Sequence, residues 1–407
     1  MNDERSTLPE LLVRVLAHGC NHSDGLGSVS QTQWETLRIM VRQHRLGPLL
    51  HWRISQCDNS NNIPPDFADE IAASFRKHSL RSLGLQYEVA RTQRVLREIG
   101  ITGVFLKGAY LAFHAYPLPA LRPLRDLDVL VPRDQAMAAF NALLTAGFTR
   151  LREFDGDPSA AVTGLKHLPP LMTPSGVTFE LHTRLTAPHQ MDLADDPAMW
   201  ERLVHRDVAG ERIAYLSPTD QLLHLIIHAV FDHRLNNGPL VLADIDSLLR
   251  RENIDWPLFW EMAAAGNWLR GCRLLLHLVD HFFGPLRFEA PPNGESPPLP
   301  GDAIAMACQL MLRDFVTTSD IQLAAELSAT SISKRARILF DRLCPSRERI
   351  LVRSASARSL HGTVSWYVAH WWRLATVRLP SYLATSRLHE GADDTIALTR
   401  LNRWLAE

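Results

Sequence analysis

Three stretches before residue 98 place apolar residues at three- and four-residue intervals: LPELLVRVLAHGC, QTQWETLRIMVRQHRLGPLLHWRI and DEIAASFRKHSLRSLGLQYEVARTQRVLREIG. That spacing lines one face of an α-helix. An Asn-rich, Pro-containing break at 58–66 separates two of them, and the last is expected to end near Gly100. From Ile101 the period changes. GVFL and LDVLV are short apolar runs of the kind buried strands give, flanking a helix from about Gly108 to Ala115. Arg133 to Ala146 reads as an amphipathic helix stopped by Gly147. Lys166 to Arg184 reads as two strands around a Thr-Pro-Ser-Gly turn. From Ser217 the pattern is helical again, with Ser217 as cap, Pro218 at the first position and Asp220 in the first turn.

These patterns predict an α+β protein. A helical region at 1–98 precedes an α+β core at 99–216, and a helical domain follows at 217–407. The Pro-rich EAPPNGESPPLPGD near 289–302 splits that last part as an exposed loop or linker.

Composition narrows the picture modestly. The 407 residues are 46% hydrophobic and 21% charged, ordinary for a soluble globular chain. A net charge of -1 excludes a protein that is basic throughout, so any nucleic-acid binding must rest on a local patch. Five scattered cysteines without a CxxC pair predict no disulfide framework. The charged N-terminus lacks an apolar signal core, and the longest apolar runs are too short to span a bilayer. A cytoplasmic protein without membrane insertion is the expectation.

The chemistry concentrates in VFLKGAYLAFHAYPLPALRPLRDLDVLV, residues 104–131. Side chains alternate along a strand, so Asp126 and Asp128 share a face. Two carboxylates on one face repel unless a cation lies between them. Mg²⁺ takes oxygen ligands, typically one or two carboxylates with substrate phosphates, and Mn²⁺ suits a similar set. Glu180 in VTFELH is the best third carboxylate, with His182 on its face. Taking Pro174-Ser175 as the hairpin tip pairs Met172 with Val177 and sets His167 opposite His182. Lys107 and Gly108 at a helix start, with Arg122 and Arg125 in the following loop, are candidate contacts for a triphosphate. Asp126, Asp128 and Glu180 are therefore the expected metal-binding and catalytic residues. Lys107, Gly108, Arg122, Arg125 and His182 are the expected nucleotide contacts.

LKGAYLAFHAYP, RPLRDLDVLV and FELHTRL together resemble the bacterial uncharacterised nucleotidyltransferases of the DNA polymerase β-like superfamily. The helical flanks, among them RQHRLGPLLHWRI and DQLLHLIIHAVFDH, are similar as well. The resemblance implies a small mixed sheet with helices and a metal-dependent site for an NTP such as ATP. It also implies transfer of a nucleoside monophosphate to an acceptor that the sequence does not identify: a small molecule, a peptide or protein, or RNA. Asp126 and Asp128 match the metal-binding pair and Glu180 the third acidic position. Lys107-Gly108 stands where the superfamily has Gly-Gly or Gly-Ser, which keeps a second expectation in view, a nucleotide-binding or regulatory protein on a degenerate core.

Two further features invite chemistry. His224 and His228 share a helix face, the spacing of a zinc chelate, although buried hydrogen-bonded histidines are the plainer expectation. Asp244 and Asp246 nearby read as caps or solvated charges. Between Lys334 and Arg378 ten Lys/Arg face two acids, interleaved with Trp366, Tyr367, Trp371 and Trp372. Such a segment suits RNA or a membrane surface, and the plainer expectation is a helix that packs its aromatics inward.

Overall fold

A computed structural model of the chain describes residues 7–19, 29–57, 63–188, 190–285, 288–289, 298–313, 323–325, 327, 332–378, 380 and 389–406. Most of the Pro-rich loop, 290–297, lies outside the described residues, as do Cys20 and the Asn-rich 58–62. The described strands are β1 (Val104–Phe105), β2 (Asp126–Leu130), β3 (Thr149–Arg150), β4 (Leu171–Met172), β5 (Thr178–His182), β6 (Val204–Val208) and β7 (Glu211–Tyr215).

The chain divides into two compact units. The first comprises Met1–Ala90, Phe105–Arg125 and Pro197–Asp314; the second comprises Arg91–Val104, Asp126–Asp196 and Phe315–Glu407.

Helices dominate the first unit. Thr7 and Ser30 open Leu8–His18 and Gln31–Gln43 with capping boxes, in which Glu10 and Gln33 return the bond to the cap backbone. Ser217 caps Pro218–Ile227 through the Asp220 N–H, as the sequence predicts. That helix is buried from Thr219 to Ile227, so it is a core helix with polar side chains inside. Helices Leu240–Arg251, Trp256–Ala265 and Leu269–Phe283 follow. Strands β6 and β7 form an antiparallel hairpin turned by Ala209 and Gly210, both at positive φ. The sequence reading did not anticipate this hairpin.

The second unit holds a mixed sheet in the order β3-β4-β5-β2. β2 and β5 are parallel, while β5–β4 and β4–β3 are antiparallel. Leu127, Val129, Phe179 and Leu181 are fully buried on one face, and Phe148 meets Phe179 edge-on at 5.3 Å. Burying that face fixes register, because a slip of one residue would turn Asp128 and Glu180 inward. A short 3-10 turn at Arg133–Gln135 leads into helix Ala136–Thr145, and Gly147 (φ 93°) ends it.

At the hairpin tip, Met172 pairs with Thr178, one residue from the expected partner Val177. His167 is nevertheless bridged to His182. Both hold because the ladder is interrupted at Pro169-Pro170, where proline nitrogens donate nothing and one residue is absorbed.

Candidate functional site

Strand alternation and the parallel register of β2 with β5 build a cluster in the second unit. Asp128 lies level with Glu180, and Leu130 with His182. His182 Nε2 is 3.3 Å from Asp128 Oδ1 and 3.4 Å from Glu180 Oε2. His167 Nε2 is 3.8 Å from the same Glu180 oxygen, and the two imidazoles are 5.3 Å apart. His182 is buried, whereas Asp128 and Glu180 keep partial access to solvent. Burial pushes the Glu180 carboxyl up. The hydrogen bond from His182 and the positive potential of His167 outweigh that, and its pKa lies below the ordinary value.

One ligand atom each from Asp128, Glu180 and His182 falls within 4.8 Å of the others, close enough to hold one metal ion. The donor set fits a divalent cation. Two carboxylates suit Mg²⁺ or Mn²⁺, and an imidazole nitrogen beside them suits Mn²⁺ better than Mg²⁺. Asp126 is on the same face of β2, one pleat from Asp128 and level with Thr178.

The remaining sequence candidates lie in the first unit. Lys107 is buried, with φ at 36°, a region that a residue with a side chain seldom occupies. Three contacts hold it there. Gln221 Nε2 donates to its carbonyl at 3.2 Å, the Leu111 N–H donates to the same oxygen, and Nζ lies 3.2 Å from His228 Nδ1. His228 Nδ1 is also 3.5 Å from Asp232 Oδ2. The stretch His228–Asp232 is a π-helical turn, a departure from regular helix often seen where side chains are aimed for function. Gly108 opens a three-residue α-turn that passes into a π-turn at Leu111–Ala115. A Cβ on Gly108 would sit 2.5 Å from Leu124 Cδ2.

Arg122 is held by Asp244, with Nε 2.7 Å from Oδ1, and Tyr116 donates to the same oxygen at 2.9 Å. Arg125 is exposed. Asp244 and Asp246 are buried, contrary to the expectation of solvated charges or caps. Burial raises both pKa values even though Arg122 and Arg250 pair with them. Their i, i+2 spacing hid this, since on a helix both turn inward only where the helix is packed on nearly all sides. His224 is fully buried, 6.3 Å ring to ring from His228. Among the described residues the metal-capable group is the Asp128 cluster, and no such group gathers on the His224–His228 face. The sequence reading singled out neither Gln221 nor Asp232. A glutamine inside an apolar helix was the available signal for the first.

A model of the family described as uncharacterised nucleotidyltransferase matches residues 30–284, more than half of the chain. The chain belongs to that family. The matched stretch contains the Asp128 cluster as well as Lys107, Gln221, His228 and Asp244, while residues from 332 onward lie beyond it. No curated protein matches the chain at a significant level.

Proposed function

We propose that the protein transfers a nucleoside monophosphate from an NTP to an acceptor hydroxyl or amine and releases pyrophosphate. The observation that carries this reading is the meeting of Asp128, Glu180 and His182 across two parallel strands, in a chain of a nucleotidyltransferase family. Asp128 and Glu180 are the proposed holders of a divalent cation, Mg²⁺ or Mn²⁺, with Asp126 as a further carboxylate beside them. Bound there, the ion would supply charge neutralisation for the phosphates and for the departing pyrophosphate.

In the reaction the acceptor atom bonds to the α-phosphorus. The bridging bond between α-phosphorus and oxygen breaks, and its electron pair leaves with pyrophosphate. The acceptor proton passes to a Glu180 carboxylate oxygen that does not ligate the ion. Lys107, Gly108 and Arg125 are proposed as triphosphate contacts, and Arg122 as one whose guanidinium is oriented by Asp244. Positioning and charge stabilisation supply most of the rate in chemistry of this kind.

Lys107 favours a second reading, a nucleotide-binding or regulatory protein. It replaces a small residue of the superfamily pattern, and its ammonium lies against His228. Calorimetric titration of each NTP with and without Mg²⁺ or Mn²⁺ separates the two. Transfer requires tighter NTP binding with metal, lost in Asp128→Asn. Metal-independent NTP binding favours the regulatory reading.

A further inference from the structure

We infer that the helix Leu360–Arg373, with the end of helix Ile332–Leu343, is a docking surface for an anionic membrane face. Leu360, Val364, Val368, Trp371 and Trp372 are 82%, 54%, 58%, 47% and 68% exposed. At about 100° per residue they fill one arc of the helix. Trp371 and Trp372 thus face outward, against the inward packing that the sequence suggested, while Trp366 and Tyr367 are half-buried. The two helices are joined: Trp371 Nε1 donates to the Leu343 carbonyl at 2.7 Å, and His370 Nε2 lies 2.9 Å from the Arg342 carbonyl. About one turn before that junction, Leu339 and Phe340 are exposed as well.

An exposed apolar stripe of this kind marks an interaction site in a folded protein. Its charge selects the partner. Ten Lys/Arg against two acids run from Lys334 to Arg378, and Arg335, Arg337, Arg342 and Arg373 are exposed on these two helices. A second copy would bring like charge against like. RNA would use the tryptophans as stacking platforms but leave the aliphatic Leu360, Val364 and Val368 without a partner. An anionic bilayer satisfies both parts: aliphatic and indole groups enter the acyl boundary while arginines meet lipid phosphates. No helix among the described residues is long and apolar enough to cross a membrane, so attachment is to the surface.

The test uses the full chain and vesicles of phosphatidylcholine, alone or with about 30% phosphatidylglycerol, a content that gives a surface potential of tens of millivolts. The protein should sediment with the anionic vesicles and not with the neutral ones. Its tryptophan emission should shift to shorter wavelength, and high salt should release it. The double variant Val364→Asp/Val368→Asp, at positions already open to solvent, should fold as judged by circular dichroism and bind about tenfold or more weakly. Failure to sediment with anionic vesicles overturns the inference, as does unchanged binding by a folded double variant. Tighter binding to single-stranded RNA than to vesicles, or a dimer that the double variant dissolves, also overturns it.

Discussion

Asp128 and Glu180 stand level on adjacent parallel strands, and one imidazole nitrogen, His182 Nε2, lies within 3.4 Å of an oxygen of each. The histidine thus occupies the place where two carboxylates would otherwise repel, and a divalent cation would compete for the same oxygens. Asp128→Asn and Glu180→Gln should each weaken Mn²⁺ binding by at least about tenfold, the loss of one charged ligand. Both should keep the thermal stability of the parent within a few degrees. Calorimetry with MnCl₂ and a thermal melt check the two halves.

His182 tests the choice of ion. With its nitrogen removed in His182→Ala, preference should move from Mn²⁺ toward Mg²⁺, because the remaining donors are oxygens. Comparing Mn²⁺ and Mg²⁺ affinities of parent and variant measures this, and an unchanged ratio would place His182 outside the ligand set.

The pair of buried Asp244 with half-buried Arg122 predicts a stability effect. Arg122→Ala leaves Asp244 and Tyr116 in the core without their cation, at a cost of about 3–5 kcal/mol. Arg122→Ala/Asp244→Leu should recover much of it, since no charge is then buried alone. Urea unfolding at pH 7 gives both numbers.

Gly108 predicts a paired result. Gly108→Ala should destabilise by about 1–3 kcal/mol through the contact with Leu124. Adding Leu124→Ala should relieve the clash while costing its own cavity, so the two changes should be less than additive in a double-mutant cycle.

A pH effect follows from His114, which lies 3.3 Å from the Tyr215 hydroxyl and within the field of Arg206. Burial first, and Arg206 next, lower its pKa to about 4. Above the unfolded value of about 6.5 the histidine is neutral in both states and costs nothing. As pH falls from there toward 4, the unfolded chain takes the proton first and stability is lost. Thermal melts between pH 7.5 and 4.5 should show a smaller decline in His114→Gln than in the parent.

Much of the second unit's sheet could be read from the chain because strand alternation fixes faces without knowledge of partners. Phe179 and Leu181 are buried and Glu180 and His182 share the other face, as the pattern implied. The hairpin β6–β7 escaped notice because the adjacent charges Arg206-Asp207 and Glu211-Arg212 break the apolar–polar alternation that marks a strand. Asp244, Gln221 and Asp232 were hidden for another reason. Their roles depend on partners more than a hundred residues away in sequence, or on a π-turn that periodicity does not reveal. The exposed tryptophans misled in the opposite sense, since an amphipathic pattern states which residues share a face but not what covers it.

The central claim is transfer itself. An NTP labelled at the α-phosphate, incubated with the protein, Mg²⁺ or Mn²⁺ and a cell extract, should place label in one acceptor fraction: small molecule, protein or RNA. Labelling should stop on chelation of the metal and be absent with Asp128→Asn. Equal labelling by the parent and a folded Asp128→Asn variant, or no metal-dependent labelling of any fraction by the parent, would contradict the account.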